Sequence, residues 1–451
     1  MARSDRDGVA STSHFVHVDS RYTPERRLVR LAKTKTRAWL HSHPDAFWSF
    51  VPLYRAAQRT YHRSLRFACH VPRDRFLDPD RLLSVPPSAI EFKTLLPGSA
   101  LRGHGCGWVL DGDWDAPEHP FVNDRRYKAV RDVLADGKRW QDTQEYAEAV
   151  QTLDAGRPVR YCCTRQELDA RYRDLDGLAR AISDEGYLTQ QELRARRTRE
   201  WQLGRQDEIS VAIGRHGEIL YRDGAHRLAI AKLVGVPCLP VEVEVRHADW
   251  MTFRRAIEGY AVSHGGKVPT PLLHPDLDNV PSHYTCTARL SVVEEHLSTP
   301  CAVLDLAPGW GYFATRLEER GATCTVLTGP SSEGPFLAGL RRACGRTFAM
   351  VSEQDLRSLP EERRRFDACL LLNDGLGHAP TFLTDVERVL RGLAIKDLLV
   401  EPDAFTRRAG RPADPASDER RFLESLMALT GLSDCTCVGR SSEAGPLYRL
   451  S

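Results

Sequence analysis

No run of apolar residues approaches the about 18 needed to cross a bilayer, and the opening MARSDRDGVASTSHF has no apolar core of the kind an export signal requires. A cytoplasmic location is therefore expected. The 12 cysteines contain no Cys-x-x-Cys spacing; the closest pairs are Cys162-Cys163 and Cys435-Thr-Cys437, so neither a zinc knuckle nor a thioredoxin-like redox site is supported. Small buried thiols in a reducing compartment are the expectation, and no metal site is expected from them. A surplus of charge is missing too. Lys plus Arg is 63 against 61 for Asp plus Glu, a net +2, which removes the broad basic field that makes nucleic-acid binding a default. Nucleic acid is not an expected partner, and any anion must be met locally.

What is present is an ordinary globular composition, 41% hydrophobic and 27% charged, over 451 residues. At about 150 residues per domain this length allows about three domains, or two with elaborations. Residues 1–22 are polar without a periodic apolar face and read as a loose tail. Arg26-Arg27 through Arg37 then leads into Trp39 to Tyr61, where Trp39, Phe47, Trp48 and Phe50 beside basic charge can mark a membrane-surface helix. His41, His43 and Asp45 interrupt that apolar face, which favours packing against the rest of the chain. Ala89 to Trp114 reads as short strands and turns ending in Asp111-Gly-Asp-Trp-Asp115. Helical periodicity follows over Tyr127 to Leu134, Glu145 to Leu153 and Leu175 to Leu193, and Arg194-Ala-Arg-Arg-Thr-Arg reads as a solvated helix end. Residues 23–205 are thus expected to be a mostly helical elaboration.

Between residues 206 and 268 the local signals agree with one another. Ile209 to Ile213 alternates as a strand, Arg215-His-Gly217 turns, Glu218 to Tyr221 is a second strand, and Asp223-Gly-Ala-His-Arg227 opens a helix that Gly235-Val-Pro237 stops. A glycine turn feeding a helix start presents backbone N–H groups and the positive end of the helix dipole, so an anion can bind there. Arg227 adds a charged fork, Asp223 or His226 can orient a hydroxyl or a metal, and the expected cleft is shared with the residues around Trp114. The plainer reading is that Asp223 caps the turn while His226 and Arg227 hold it together.

This stretch resembles the ParB/sulfiredoxin-like superfamily on Gly224-Ala-His-Arg227, over about 40 residues. The resemblance implies phosphate binding by Asp223, Gly224, His226 and Arg227, and admits CTP binding, sulfinic-acid reduction or small-molecule kinase activity using a nucleoside triphosphate with Mg. Ala225 stands where the reductase needs a Cys. The kinase branch carries a similar Asp-Gly-x-His-Arg turn, and its upstream acidic partner has no evident counterpart here.

Residues 269–285, rich in Pro and His, read as a linker before a last domain at 286–451. There a helix at Leu290 to Leu297 precedes the apolar run Cys301 to Leu306, the turn Ala307-Pro-Gly-Trp-Gly311, a helix to Glu319 and a strand Cys324 to Leu327. Strand, glycine turn and helix within about 30 residues form the first unit of a doubly wound sheet, whose ligands lie beyond the carboxyl ends of its strands. Gly-x-Gly-x-x-Gly is absent. The run Leu304-Asp-Leu-Ala-Pro-Gly-Trp-Gly-Tyr-Phe313 resembles the first motif of class I S-adenosylmethionine-dependent methyltransferases. Phe366 to Leu372, Asp397 to Glu401, a helix near Arg421 to Leu429 and strands around Cys435 and Tyr448 continue that resemblance. It implies S-adenosylmethionine held by Asp305, Ala307, Gly309, Gly311, Thr328, Asp355 near the adenine, and Asn373, with Asp374 or His378 removing a proton from the acceptor. Two positions depart from the family pattern: Ala307 replaces the first glycine, and Thr328 stands where an acidic residue usually accepts from both ribose hydroxyls. An inactive fold kept for binding is the alternative that Thr328 leaves open.

The expected architecture is α/β and α+β multidomain: a C-terminal doubly wound, Rossmann-like methyltransferase sheet preceded by a ParB-like α+β domain with a helical N-terminal elaboration. The expected function is methyl transfer from S-adenosylmethionine to a small molecule, phosphorylated or nucleotide-linked. The alternative is nucleotide binding or small-molecule phosphorylation at the Asp-Gly-x-His-Arg turn, with a degenerate methyltransferase domain.

Overall fold

The computed structural model describes residues 60, 81–96, 107–157, 159, 162–196, 208–328, 333–372, 387–402, 415–441 and 445–451. The tail at 1–22 and the aromatic residues Trp39, Phe47, Trp48 and Phe50 lie outside that set. The chain divides into two compact units, Met1–Met251 and Thr252–Ser451, and among the described residues no helix is long and apolar enough to cross a membrane.

The first unit is built on a mixed seven-stranded sheet: β1 (Leu82–Val85), β2 (Phe92–Lys93), β3 (Trp108–Leu110), β4 (His119–Pro120), β5 (Ile209–Ile213), β6 (Ile219–Asp223) and β7 (Leu239–His247). The order is β1-β7-β5-β6-β2-β4, with β3 also on β7. Strands from 82–120 and from 209–247 therefore share one sheet, which places the boundary elsewhere than at 205/206. Strand partners so far apart in sequence leave no periodicity signal, so the shared sheet was invisible to local pattern. The β5–β6 hairpin, helix α5 (Ala225–Leu233) and the return strand β7, parallel to β5, follow the expected local order.

Helices α1 (Arg125–Leu134), α2 (Gln144–Asp154), α3 (Arg165–Glu185) and α4 (Gln190–Arg196) belong to this unit. Asp124 caps α1, Thr143 caps α2, and Thr164 with Glu167 forms a reciprocal capping box on α3. One helix was expected over Leu175 to Leu193. The structure breaks it at Gly186, whose φ of 82° ends α3 in a conformation that glycine adopts without steric cost.

The second unit begins within helix α6 (Ala248–Ser263) and continues through α7 (Thr287–His296) to β8 (Ala302–Asp305). Residues 269–285 are packed rather than a free linker: Thr270, His274 and Asp276 are buried, and Arg254 of α6 reaches Asp276 at 3.1 Å. Pro and His content suggested a spacer, but a buried ion pair fixes it. Then come α8 (Tyr312–Glu319), β9 (Thr323–Leu327), α9 (Gly334–Ala343), β10 (Ala349–Val351), α10 (Glu353–Ser358), β11 (Arg365–Leu371), β12 (Ala394–Val400), α11 (Pro415–Thr430), β13 (Cys435–Ser441) and β14 (Gly445–Leu450).

Their order is β10-β9-β8-β11-β12-β14-β13, parallel from β10 to β12, with β14 antiparallel to both its neighbours. Both faces are covered. Val303, Leu370 and Leu399 point into one apolar cluster, and their neighbours Leu304, Leu371 and Val400 into the other, the period-two alternation of a sheet with two buried faces. The described cysteines are free thiols, and Cys435 and Cys437 are exposed because they lie on the edge strand β13.

Candidate functional site

In the second unit the strand sequence runs outward from β8 in both directions, to β9 and β10 on one side and to β11 and β12 on the other. The β8/β11 boundary is therefore the topological switch point, where doubly wound sheets open a crevice beyond the carboxyl ends of their strands. Asp305, Ala307, Gly309 and Gly311 all lie there. Asp305 ends β8 buried, and its Oδ1 accepts from the Ala307 amide at 3.2 Å, which bends the chain out of the sheet. Gly309 and Gly311 have φ of 51° and 86°, and the Gly311 amide donates to Pro308 O at 2.7 Å to close the turn. Gly311 then starts α8 with no side-chain cap. A Cβ on Gly311 would lie 2.7 Å from Leu337 Cδ1 and 3.4 Å from Phe348 Cζ, so the turn is packed directly against α9.

The first turn of α9 also meets Trp310. Its indole stacks on Phe336 with centroids 4.5 Å apart and 18° between planes, and Tyr260 of α6 meets both rings edge-on. Glu333, just before α9, accepts from the Tyr260 hydroxyl at 3.3 Å. Burial raises its carboxyl above the usual range, opposed by that hydroxyl and by His264.

Thr328 follows β9 as expected, but its hydroxyl and its amide both donate to Val351 O, at 3.1 and 2.8 Å, tying the end of β9 to β10. Asp355 lies in the first turn of α10. Its carboxylate accepts from Ser352 N and Oγ at 3.2 and 2.6 Å as half of a capping box, and these bonds hold it below its ordinary pKa. Asn373, Asp374 and His378 lie outside the described residues.

In the first unit, Gly224 separates β6 from α5 with φ of 94°, and a Cβ there would lie 3.1 Å from Ile209 Cγ1 and 3.2 Å from its Cα. Only glycine meets both demands. Asp223 Oδ1 accepts from the Gly224 amide at 2.8 Å, and His226 Nε2 lies 3.2 Å from both carboxylate oxygens of Glu145. Arg227 is 8% exposed and donates to the Tyr187 hydroxyl at 3.4 Å. Burial, opposed by Arg227 and reinforced by Glu208, pushes Tyr187 up to about 12. A cavity of about 40 Å³ beside Arg227 is walled by Tyr187, Gln190 and the end of α3, a size that suits a water or two.

Trp114, expected to share a cleft with this turn, is not among the residues lining the cavity beside Arg227. Asp113 and Asp115, flanking that Trp, bind Arg215 in the β5–β6 turn through its Nη2 at 2.6 and 2.8 Å. Arg215 precedes β6 and Asp223 ends it, so the two groups stand at opposite ends of one strand, where about 3.4 Å per residue keeps them apart. Sequence reasoning also passed over Glu145. Its available signal was a carboxylate on the same helical face as Ala149, a face that the structure buries.

No protein family and no curated protein matches this chain. Among solved structures it is similar to the bifunctional kinase-methyltransferase WbdD, at 20% identity and TM-score 0.32 over 43% of this chain and 45% of that one. It is also similar to a protein from Pyrococcus horikoshii OT3, at 16% identity and TM-score 0.26 over 37% of this chain and 87% of that one. The methyltransferase domain of bacterial CtHen1 matches at 15% identity and TM-score 0.26, over 36% of this chain and 95% of that one. The chain spans less than half the length of WbdD.

Proposed function

We infer that the second unit binds S-adenosylmethionine and transfers its methyl group to a small molecule, phosphorylated or nucleotide-linked. The observation that carries this reading is the glycine turn Ala307 to Gly311 at the carboxyl end of β8, beside the switch point of a doubly wound sheet. The site suits the cofactor. An uncapped helix start fits its carboxylate, and a half-buried carboxylate, Glu333, lies on the helix turn packed against that loop. When bound, the cofactor supplies an electrophilic methyl group on a sulfonium. Asp305 shapes the turn, Gly309 leaves the backbone close to the ligand, and the walls of the crevice position the acceptor in line. Asp374 or His378 would take the acceptor's proton, and Asn373 and Asp355 would contact the adenosine.

Calorimetric titration of the whole chain with S-adenosylmethionine, ATP and CTP in turn tests this. We expect heat with S-adenosylmethionine, lost in Gly309→Val, whose side chain fills the approach path. No heat at millimolar cofactor refutes the reading.

A second reading is favoured by one observation, the buried Glu145 against His226 at the Asp223–Arg227 turn. A carboxylate-oriented imidazole beside an anion-binding helix start has the parts of a phosphoryl-transfer site, with the ParB-like turn holding a nucleoside triphosphate and its Mg. Heat with ATP or CTP, abolished by Glu145→Gln, supports it.

A further inference from the structure

We propose that Glu333, assisted by the Tyr260 hydroxyl, is the acidic group that takes the ribose hydroxyls of the nucleoside bound in the second unit, in place of Thr328. The proposal rests on the cofactor reading above. In doubly wound nucleotide sites the group reaching the ribose diol is a carboxylate at the end of the second strand. In this chain that position is Thr328, whose hydroxyl proton is committed to Val351 O and whose oxygen is at best a neutral acceptor.

The next carboxylate in the same β9–α9 connection is Glu333, five positions on. Three contacts fix its place. Leu337, one helical turn later, is the atom neighbour that a Cβ on Gly311 would strike. Phe336 stacks on Trp310, which lies between the two glycines of the loop. Tyr260 touches the Trp310 ring and donates to Glu333. The first turn of α9 is thus packed against the cofactor turn, with Glu333 at its head.

Glu333 is also not spent on the helix it precedes: it occupies the N-cap position yet makes no side-chain cap hydrogen bond. Asp355, by contrast, already takes two bonds from Ser352 on its Oδ2 in a capping box. A half-buried carboxylate holding one hydroxyl donor has acceptor capacity for a diol, and each charged hydrogen bond there is worth more than the neutral one Thr328 offers.

The test is calorimetric titration of the whole chain with S-adenosylmethionine and with its analogue lacking both ribose hydroxyls. Glu333→Gln should weaken S-adenosylmethionine by about ten- to a hundredfold while leaving the deoxygenated analogue unchanged. Adding Thr328→Asp to Glu333→Gln should restore most of the loss by returning a carboxylate to the end of β9. Glu333→Gln with affinity within threefold of wild type, or equal loss for both ligands, overturns the assignment while leaving the cofactor reading intact. Wild-type protein that binds neither ligand overturns both.

Discussion

Replacing Arg227 by Ala tests whether the Asp223–Arg227 turn is a surface feature or part of the interior. From sequence, an Arg at a helix start reads as solvent-facing, and its loss should barely affect stability. The structure requires otherwise: Arg227 is 8% exposed and its guanidinium donates to Tyr187, which also hydrogen-bonds the buried Glu208. Removing the cation leaves a hydroxyl and a carboxylate in the interior without their positive neighbour. Leaving buried polar and charged groups uncompensated costs about 2–4 kcal/mol, between the cost of an unsatisfied buried hydroxyl and that of a broken buried ion pair, because Tyr187 stands between the two charges. Hydrogen exchange reads this locally. Amide protection in α5 at Leu228 to Ala231 should fall roughly 30- to 700-fold, while β11 and β12 keep theirs. Arg227→Lys, which keeps the charge and loses the fork, should fall between. Protection in Arg227→Ala within threefold of wild type would refute the reasoning and return Arg227 to the surface.

Two further outcomes follow from buried charge. Glu401→Gln breaks the ion pair with Arg289, both fully buried with Nη1–Oε2 at 3.2 Å, and should destabilise the second unit by about 3–5 kcal/mol in thermal unfolding. Arg289→Met with Glu401→Leu together should cost less than the single change. Burial acts to raise Asp115, but hydrogen bonds from the Arg215 side chain and backbone, together with the electrostatic pull of His247 and Arg215, win and hold its pKa below the ordinary value of 3.8. The stability it contributes is therefore complete above that ordinary value and lost as pH falls through the lowered one; Asp115→Asn should flatten the acid limb of a melting-temperature profile below about pH 4.

Strands of the second unit were legible because each is a short apolar run bounded by Gly, Pro or Asp. β8, β9, β11 and β12 fall within a residue or a few of where alternation and turn chemistry put them. Gly309 and Gly311 were legible for the same reason: a turn that must adopt positive φ has few residues to choose from. What could not be read was anything resting on a partner remote in sequence. Glu145 and His226 are 81 positions apart, Arg289 and Glu401 112, and β2 and β6 pair across more than 120 residues. Periodicity says which face of an element is apolar and nothing about what covers it. A carboxylate on such a face is the one local hint, because an ionised side chain is buried only against a partner. Thr328 shows the converse. Its place after β9 was readable, whereas the commitment of its hydroxyl to Val351 depends on β10.

The two units solve one local problem in the same way. Each turns a strand into a helix through a left-handed glycine, Gly224 at φ 94° and ψ 29° and Gly311 at φ 86° and ψ 22°, and in neither does a side chain cap the helix that follows. Four other helices carry a side-chain cap, from Asp124, Thr143, Thr164 and Ser352, while Cys286 and Glu333 precede α7 and α9 without one. An N-cap side chain contributes about 1 kcal/mol, so its omission at these two starts forgoes a gain taken at four others. A glycine start keeps the space in front of the first helical amides clear of side-chain atoms, a property useful to a ligand and of no value to the helix alone. In the first unit Asp223 claims one amide, that of Gly224 itself, and the helix then directs His226 and Arg227 to Glu145 and Tyr187. In the second, the helix directs Tyr312 and Phe313 into the core. By that difference the second helix start is the better candidate for an anionic group met by main-chain amides, and the first for chemistry carried by side chains.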